Sequence, residues 1–344
     1  MITTSQLAEA VQHAVRAPSV HNTQPWRWRI DSADGTVELY ADVNRHLTAT
    51  DPQRRDLFIS CGAALHHLVV ALAHLGLRAT VLRLPDPEDS THLATVRVDS
   101  VDKPVGRSVH PTLAALADLF PAIHRRHTDR RRFSHRPVPV ALIDGLVDAA
   151  ARSDVLLVPV ERPHERFAAV LADAASRQRW VPGYPAELQI WTRRHGGAHD
   201  GIPPTAIANA PTGLTGPSGL RNFPHAELSQ PMPLAGHGLP DDAAAFLVLA
   251  TADDEPADRL RAGEALSAVL LAATRAGLAT TPLSQATEVT ATRDMLRRVV
   301  GIPENPQLVL RTGWPASHAA ELADTPRRDL TSVLIHAPMK PGRS

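Results

Sequence analysis

The chain has 344 residues, of which 43% are apolar and 21% are charged. This balance is typical of a soluble globular protein with a sizeable core. The 36 basic and 36 acidic residues cancel, so there is no overall positive charge to draw the chain to nucleic acids or acidic membranes. We therefore expect neither partner, and any anion site must be local.

A single cysteine, Cys61, excludes an intramolecular disulfide and any site built from several cysteines. The apolar residues around it favour an inert buried thiol. The first ten residues show no basic region followed by an apolar run, and no segment approaches 18 uninterrupted apolar residues. We expect a cytoplasmic protein.

Apolar spacing predicts two series of elements. The first has a helix at residues 4–16, a hairpin around residues 34–35, an almost wholly apolar helix at 55–75, strands at 79–84 and 93–99, and a helix at 112–120. The second has a helix at 140–151, a strand at 155–160, a helix at 166–177, a strand at 245–251, helices at 258–277 and 290–301, and a strand at 306–314. The mixture predicts an α+β fold, and the repetition indicates an internal duplication.

A long segment without predicted structure interrupts the second series. Between residues 196 and 240, 16 of 45 residues are Gly or Pro. Loops longer than roughly 12 to 15 residues are unusual unless they are functional or disordered. We interpret residues 196–240 as a lid, and the alternative is a surface loop far from any site.

Two segments carry polar groups that periodicity does not require. Residues 17–26 (APSVHNTQPW) end a helix with small and amide-bearing side chains that suit a flat, hydrogen-bonding ligand, and the alternative is a proline-bounded loop. Residues 125–133 (RRHTDRRRF) hold six cations within eight positions, which suits a terminal phosphate. The alternative for this second segment is a solvated basic turn.

Two further segments are weaker signals on their own. Residues 325–328 (TPRR) place two guanidinium groups beside a proline. Residues 277–285 (GLATTPLSQ) follow a long helix, with Gly277 as its natural C-cap and an extended stretch whose backbone N–H groups are able to donate. The alternative for the latter is a plain connector between a helix and a strand.

The commonest nucleotide, hydrolase and metalloprotease motifs are absent from the sequence, including the P-loop, G-x-G-x-x-G, G-x-S-x-G and H-E-x-x-H. His124 and His127 have a spacing that suits a metal, but they lie in an arginine cluster that repels a cation. The adjacent His66 and His67 should point different ways on a helix. We expect no metal site.

Together, the four segments resemble the FMN-dependent nitroreductase family. APSVHNTQPW is similar to the family's SPSSxNSQPW-like loop, RHTDRRRF to its phosphate motif, GLATTPLSQ to its flavin-edge turn and TPRR to its C-terminal basic element. The first match is the most specific. An ordinary member has the arginine motif upstream of the loop, whereas here it follows about 105 residues later, and Ser284-Gln285 replaces the usual Glu-Gly of the turn.

Ordinary members are homodimers that bind FMN between their subunits, so the displaced motif implies two fused copies that imitate the dimer and share one composite site. This arrangement resembles the Acg-like branch of the family, in which a lid covers the flavin. It implies a first half, residues 1–118, with the loop, and a second half, residues 119–344, with the phosphate motif, the flavin-edge turn and the lid-like insertion. The chain would be a monomer or a weak homo-oligomer.

The resemblance also implies which residues bind the cofactor. The phosphate and ribityl chain would be held by Arg126, His127, Thr128 and Arg130, with Arg327 or Arg328. The ring would be approached from the first half by Pro18, Ser19, Asn22 and Gln24. The flavin-edge turn, with Pro282, Leu283, Ser284 and Gln285, would direct a backbone N–H near Ser284 to flavin N5. Arg131 is interpreted as a solvated neighbour.

No catalytic side chain is required in such a site, because the flavin carries the redox chemistry. The implied function is reduction of nitro compounds, quinones or similar small molecules, with NADH or NADPH as reductant. One alternative is a stress protein that stores or sequesters FMN with little turnover. Another is an FMN-dependent oxidase or dehydrogenase of a biosynthetic intermediate, since one fold hosts varied chemistry.

Overall fold

Two four-stranded antiparallel sheets form the framework of the protein, and helices flank them. The structure is a computed structural model that describes residues 2–100, 111–161, 165–194, 197–203, 243–316 and 321–335. The predicted α+β class is confirmed. Of the predicted lid, residues 197–203 are described and the remainder lies outside the described residues.

The first sheet has the strand order β1-β2-β4-β3. Its elements are α1 (Thr4–Ala14), the 3-10 turn η1 (Val20–Asn22), β1 (Trp26–Asp31), β2 (Thr36–Ala41), the 3-10 turn η2 (Val43–Arg45), α2 (Arg55–His74), β3 (Leu77–Arg83) and β4 (His92–Ser100). The predicted hairpin is confirmed, and Gly35 takes a positive φ of 65° in its turn. Gly76 likewise has a φ of 73°, which ends α2 where the sequence predicts.

Two short helices, α3 (Pro111–Ala117) and α4 (Phe120–Arg125), replace the single helix predicted at residues 112–120. The prediction was wrong there because Pro121 lacks the backbone N–H that would continue the first helix. The predicted boundary between residues 118 and 119 falls between these two helices. The division into two halves at that point stays a prediction.

The second sheet has the strand order β5-β6-β8-β7, which repeats the first order one series later. Its elements are α5 (Val140–Ala151), β5 (Leu156–Pro159), α6 (Glu165–Gln178), α7 (Tyr184–Thr192), β6 (Ala245–Thr251), α8 (Pro256–Arg275), β7 (Ala279–Leu283), α9 (Gln285–Glu288), α10 (Thr290–Val300) and β8 (Asn305–Gly313). The predicted strands and long helices of this half are confirmed within about two residues. Helices α7 and α9 are additions that apolar spacing did not indicate.

Helices α2 and α8 pack against each other and join the two halves. A Cβ on Gly62 would lie 2.0 Å from the carbonyl oxygen of Leu260, and a Cβ on Gly263 would lie 2.1 Å from that of Ile59. Ile59 and Leu260 are separated by the same number of residues as Gly62 and Gly263. The two helices therefore present equivalent positions to each other, and the contact is nearly symmetric. Leu260 belongs to the first core and Ile59 to the second, which interlocks the halves.

Helix α2 is the one described helix that is long and apolar enough to cross a membrane. Most of its length is buried inside the protein. Its apolar composition is therefore explained by its place as a core helix.

The last described residues return to the first sheet. Helix α11 (Leu330–Val333) follows the second sheet in the chain, yet Val333 is buried in the first core. Leu334 pairs in parallel with Trp28 of β1, and the Ile335 N–H donates to the Trp28 carbonyl at 2.7 Å. This return brings the segment before α11 beside residues 17–26.

Candidate functional site

The loop of residues 17–26, here called the APS loop, has an unusual backbone. His21, Asn22 and Gln24 have positive φ angles of 47°, 55° and 51°, although none is glycine. Each such residue costs about 1 kcal/mol or more, so the surrounding contacts must impose the conformation. Strain of this kind is typical of a ligand site.

Hydrogen bonds hold the APS loop in that conformation. The Ser19 hydroxyl accepts from the Gln24 backbone N–H at 2.9 Å. The Asn22 amide donates to the carbonyls of Gly201 at 2.9 Å and Pro326 at 3.0 Å, and it accepts from Arg327 at 3.2 Å. These contacts join three distant parts of the chain.

Gln24 is fully buried and makes equivalent contacts. Its amide donates to the His199 carbonyl at 2.8 Å and accepts from the Arg328 N–H at 2.8 Å. Arg328 reaches back to the Gln24 carbonyl at 3.2 Å and lies 3.4 Å from Asp42. The side chains of Asn22 and Gln24 are thus engaged by the protein, while Pro18 is partly buried just before the loop turns. Contact of these residues with a ring stays a prediction.

A cluster of three guanidinium groups lies beside the APS loop, and we call Arg16, Arg126 and Arg327 the arginine cluster. Arg126 is the C-cap of α4 and only 7% exposed, and its Nε and Nη1 have no hydrogen-bond partner. The Nε atoms of Arg16 and Arg327 are buried and equally unpartnered. Leaving such donors unsatisfied costs about 1 to 3 kcal/mol each, and no residue in the described part of the chain supplies the acceptor, so the cluster suits a bound acceptor.

The charge of the cluster is only weakly compensated. Burial, and then the charge of Arg16, lower the pKa of Arg126 from 12.5 to about 10. Burial, and then Arg126 and Arg16, lower the pKa of Arg327 to about 9. Among the residues that the structure describes, Asp324 is the carboxylate that acts against this, at 3.3 Å from Arg16, but its side chain is 67% exposed. Burial and mutual repulsion outweigh it, so an added anion would be stabilised here.

His127 borders the same cluster, with its Nε2 3.8 Å from Asp324. Burial and the charge of Arg126 lower its pKa. The two residues after it lead to the second sheet, where Thr128 pairs with Thr280 at the start of β7 and the Asp129 N–H donates to the Thr280 carbonyl at 2.9 Å. The phosphate-like motif and the predicted flavin-edge turn are therefore neighbours in space.

The flavin-edge turn, residues 277–285, comprises β7 and the start of α9. Gly277 has a φ of 80° directly after α8, which confirms its role at the helix end. Pro282 and Leu283 lie in β7, an edge strand where a missing N–H is tolerated. The Ser284 hydroxyl donates to Glu288 at 2.6 Å and the Gln285 amide donates to Gln178 at 2.8 Å, so both side chains face protein partners.

Two interpretations of the basic residues were wrong. Arg131 is not a solvated neighbour, because it forms an ion pair with Asp129 at 2.8 Å and is partly buried. His66 and His67 do not diverge, since the Nδ1 atoms of both rings lie 2.8 Å from the Ser267 hydroxyl of α8. Arg130 is also partly buried and has contacts of its own.

Several residues at the site were not identified from the sequence. Arg16 lies in an ordinary helix end, and Asp324 is one exposed acid among many. His67 sits in an apolar helix run. Nothing in the local pattern distinguishes them, because their neighbours come from α4 and residues 324–328, far along the chain. Cys61 is buried as predicted, and among the described residues no group of His, Cys, Asp and Glu could hold a metal ion.

A strained loop, a buried arginine cluster and an edge strand, contributed by both α+β halves of the fold, form the candidate site. The nitroreductase family model matches residues 123–314, and the chain belongs to the nitroreductase family. A Mycobacterium tuberculosis protein named "Putative NAD(P)H nitroreductase Rv3131" is 44% identical over 93% of this chain and 88% of its own length.

Two further proteins are similar to this chain. The M. tuberculosis protein named "Putative NAD(P)H nitroreductase acg" is 37% identical over 97% of this chain and 96% of its own. The solved FMN-dependent nitroreductase NfnB from Mycobacterium smegmatis, in complex with NADPH, is 16% identical, covers 64% of this chain and 100% of its own, and has a TM-score of 0.41.

Proposed function

We propose that the chain binds FMN and uses NADH or NADPH to reduce nitro compounds, quinones or similar acceptors at a single site composed from both halves. The observation that carries this proposal is the arginine cluster, whose buried donors lack partners among the described residues and whose charge is offset only by the largely exposed Asp324. A phosphate monoester supplies both the acceptors and the negative charge. The family and the names of the relatives supply the class of reaction.

The fit to FMN rests on these residues. Arg126 and Arg327, with Arg16 and His127, would hold the phosphate. Thr128 and Arg130 would follow the ribityl chain toward β7, and Arg328 would hold the APS loop through Gln24. The orphaned donors of Arg16, Arg126 and Arg327 meet the requirement for a dianion.

Bound FMN would supply the redox chemistry, which is acceptance of a hydride from the nicotinamide and delivery of reducing equivalents to the acceptor. The chain's own residues bind, orient and shield. Ser19, Asn22 and Gln24 fix the strained APS loop in the first half. Residues 282–285 of the second half would close the other side of the flavin, with a backbone N–H near Ser284 directed to its redox-active edge. No side chain of this site needs to act as an acid or base.

We infer one FMN per chain, because the counterpart of the flavin-edge turn in the first half is filled. The sequence separation between equivalent positions of α2 and α8 also makes Arg83 the first-half counterpart of Ser284, and Ala63 the counterpart of Glu264. Arg83 pairs with the buried Glu264 through two bonds of 2.7 and 2.8 Å. The ion pair at this position of the first half supports a single cofactor site per chain, and we propose that the chain works as a monomer.

FMN storage is the second candidate, and one observation favours it. Residues 197–203 contact the site directly: the His199 and Gly201 carbonyls accept from the APS loop, the His199 ring lies 3.2 Å from the Arg327 carbonyl, and Asp200 pairs with Arg45. A segment seated on the loop restricts the approach of acceptors from that side.

One experiment separates these functions. Purified protein is reconstituted with FMN, and the flavin-to-protein ratio is measured by absorbance; we expect a value near one. Stopped-flow mixing with NADH and NADPH, and then with a nitroarene or quinone, follows reduction and reoxidation. Rapid turnover supports the reductase, bound flavin that is not reduced supports storage, and a ratio near two or no binding overturns the proposal.

A further inference from the structure

Helices α2, α4 and α8 converge beside the arginine cluster. Val70 of α2, Ile123 of α4 and Leu271 of α8 are buried in one small apolar cluster. One turn away on α2 and α4 lie His67 and Arg126, and one turn away on α8 lies Ser267. The His67 ring is fully buried, and within the described part of the chain its Nε2 has no hydrogen-bond partner.

The contacts of His67 determine its tautomer. Its Nδ1 lies 3.1 Å from the Ala63 carbonyl, which only accepts, so Nδ1 carries the proton. The Ser267 hydroxyl, 2.8 Å from Nδ1 of both rings, accepts from His67 and donates to His66. The Nε2 of His67 is left as an acceptor with no donor.

His67 remains neutral at physiological pH. Burial, then the charges of Arg126 and His66, lower its pKa well below the usual value; the hydrogen bond to the Ala63 carbonyl opposes this, and Arg327 adds a smaller lowering. A neutral ring with its proton on Nδ1 has no donor for a phosphate oxygen. The Nε2 of His67 requires a ligand group that donates a hydrogen bond.

The neighbouring Arg126 requires hydrogen-bond acceptors, because its Nε and Nη1 are donors with no acceptor among the described residues. A hydroxyl group satisfies both, since it donates through its O–H and accepts through its oxygen. We propose that His67 Nε2 accepts from a ligand hydroxyl beside Arg126, so that the site selects a polyol phosphate over a bare phosphate. This inference rests on the proposed function, in which that hydroxyl belongs to the ribityl chain of FMN.

Two substitutions separate the ring nitrogens. His67→Asn keeps an amide near the Nδ1 position, where it is able to meet Ala63 and Ser267, and removes the acceptor at Nε2. His67→Gln extends an amide oxygen toward the Nε2 position. Dissociation constants for FMN, ribitol 5-phosphate and inorganic phosphate are measured on the full apoprotein by fluorescence quenching and calorimetry, and thermal unfolding checks that each variant is folded.

We expect His67→Asn to weaken FMN and ribitol 5-phosphate about tenfold and to leave inorganic phosphate unchanged. His67→Gln should bind FMN nearly as wild type does, and Arg126→Met should weaken all three ligands. Equal losses for His67→Asn with all three ligands, or no loss with FMN, would overturn the inference. If wild type binds ribitol 5-phosphate but not FMN, and His67→Asn weakens it, the hydroxyl site stands and FMN is the wrong cofactor.

Discussion

At the residue scale, the arginine cluster should favour ligand binding and lower the stability of the ligand-free protein. Arg126 is buried with two unpartnered donors, next to the charges of Arg16 and Arg327. A cation in such a place destabilises the folded protein until an anion arrives, and binding sites commonly carry this kind of penalty. The cluster therefore predicts opposite effects on stability and on affinity.

Arg126→Met should stabilise the apoprotein by about 1 to 3 kcal/mol, because the pKa lowered to about 10 means that the folded state disfavours the charge at neutral pH. The same change should weaken FMN binding by about 1.5 to 3 kcal/mol through lost charge-assisted bonds. Chemical unfolding and fluorescence titration measure the two effects.

Arg131→Ala is the matched control for Arg126→Met. It breaks the ion pair with Asp129 and should lower stability while affecting FMN affinity much less. Equal affinities of the two variants would show that the motif has been aligned wrongly by several positions.

Asp324 is the resident counterion of the cluster, and Asp324→Asn should raise FMN affinity. The carboxylate attracts Arg16 and His127 and would repel an incoming phosphate. Because its side chain is largely exposed, we expect a gain of only about two- to fivefold. Glu321→Gln, which removes an exposed charge nearby, serves as the control in the same titration. A loss of affinity in Asp324→Asn would mean that the carboxylate positions Arg16 instead.

At the element scale, the crossing of α2 and α8 depends on two glycines. Each backbone approaches the other so closely that a Cβ on Gly62 or Gly263 would meet a carbonyl oxygen at 2.0 or 2.1 Å. Contacts below 3.0 Å between a Cβ and a backbone oxygen force the helices apart. The whole composite site is affected, since α2 carries His67 and both helices connect the halves.

Gly62→Ala and Gly263→Ala should each destabilise the protein by about 2 to 4 kcal/mol through overpacking. Gly145→Ala in α5 is the control, because nothing lies within 4 Å of its added Cβ and alanine favours a helix by up to about 1 kcal/mol. Urea unfolding compares the three. Unchanged stability in Gly62→Ala would contradict the close crossing.

At the scale of the whole molecule, a buried polar contact joins the halves at the start of α2. Arg55 is 2% exposed and bonds to Gln307 at 2.7 Å and to Asp254 in an ion pair. Asp254 also accepts from Arg259 at 3.2 Å and from Gln307 at 3.1 Å. Although burial alone would raise the pKa of Asp254, the bonds from Arg55 and Arg259 lower it to about 2.

Because the pKa of Asp254 is lower in the folded than in the unfolded state, its contribution to stability is present above about pH 4 and is lost as the pH falls toward 2. Asp254→Asn should cost about 2 to 4 kcal/mol at pH 7, since Arg55 loses its counterion. The difference from wild type should shrink on acidification.

Urea unfolding of wild type and Asp254→Asn from pH 3 to pH 7 measures this pH dependence. The exposed Asp34, in the first hairpin, provides the control Asp34→Asn, which should differ little from wild type throughout. A difference between wild type and Asp254→Asn that is independent of pH would argue against the lowered pKa.

The sequence by itself determined the elements and the motif classes. Apolar periodicity predicted seven of the eight described strands and the long helices, because burial of one face or of a whole helix leaves a local pattern. Strand β7 was predicted only as an extended stretch. It missed α7 and the break between α3 and α4, where proline and short length override periodicity. The APS loop, the basic segments and the flavin-edge turn were recognisable because each is contiguous in the chain.

Only the tertiary structure decided what these segments meet. Arg16, His67, Asp324 and the Arg83–Glu264 pair carry no local signal, and their importance comes from partners far along the chain. In the sequence, Arg126 is one arginine among many. Its charge becomes significant because folding removes its hydrating water and places Arg16 and Arg327 beside it. Desolvation of a charged group and its proximity to other charges are properties of the folded chain, so they cannot be inferred from the order of the residues alone.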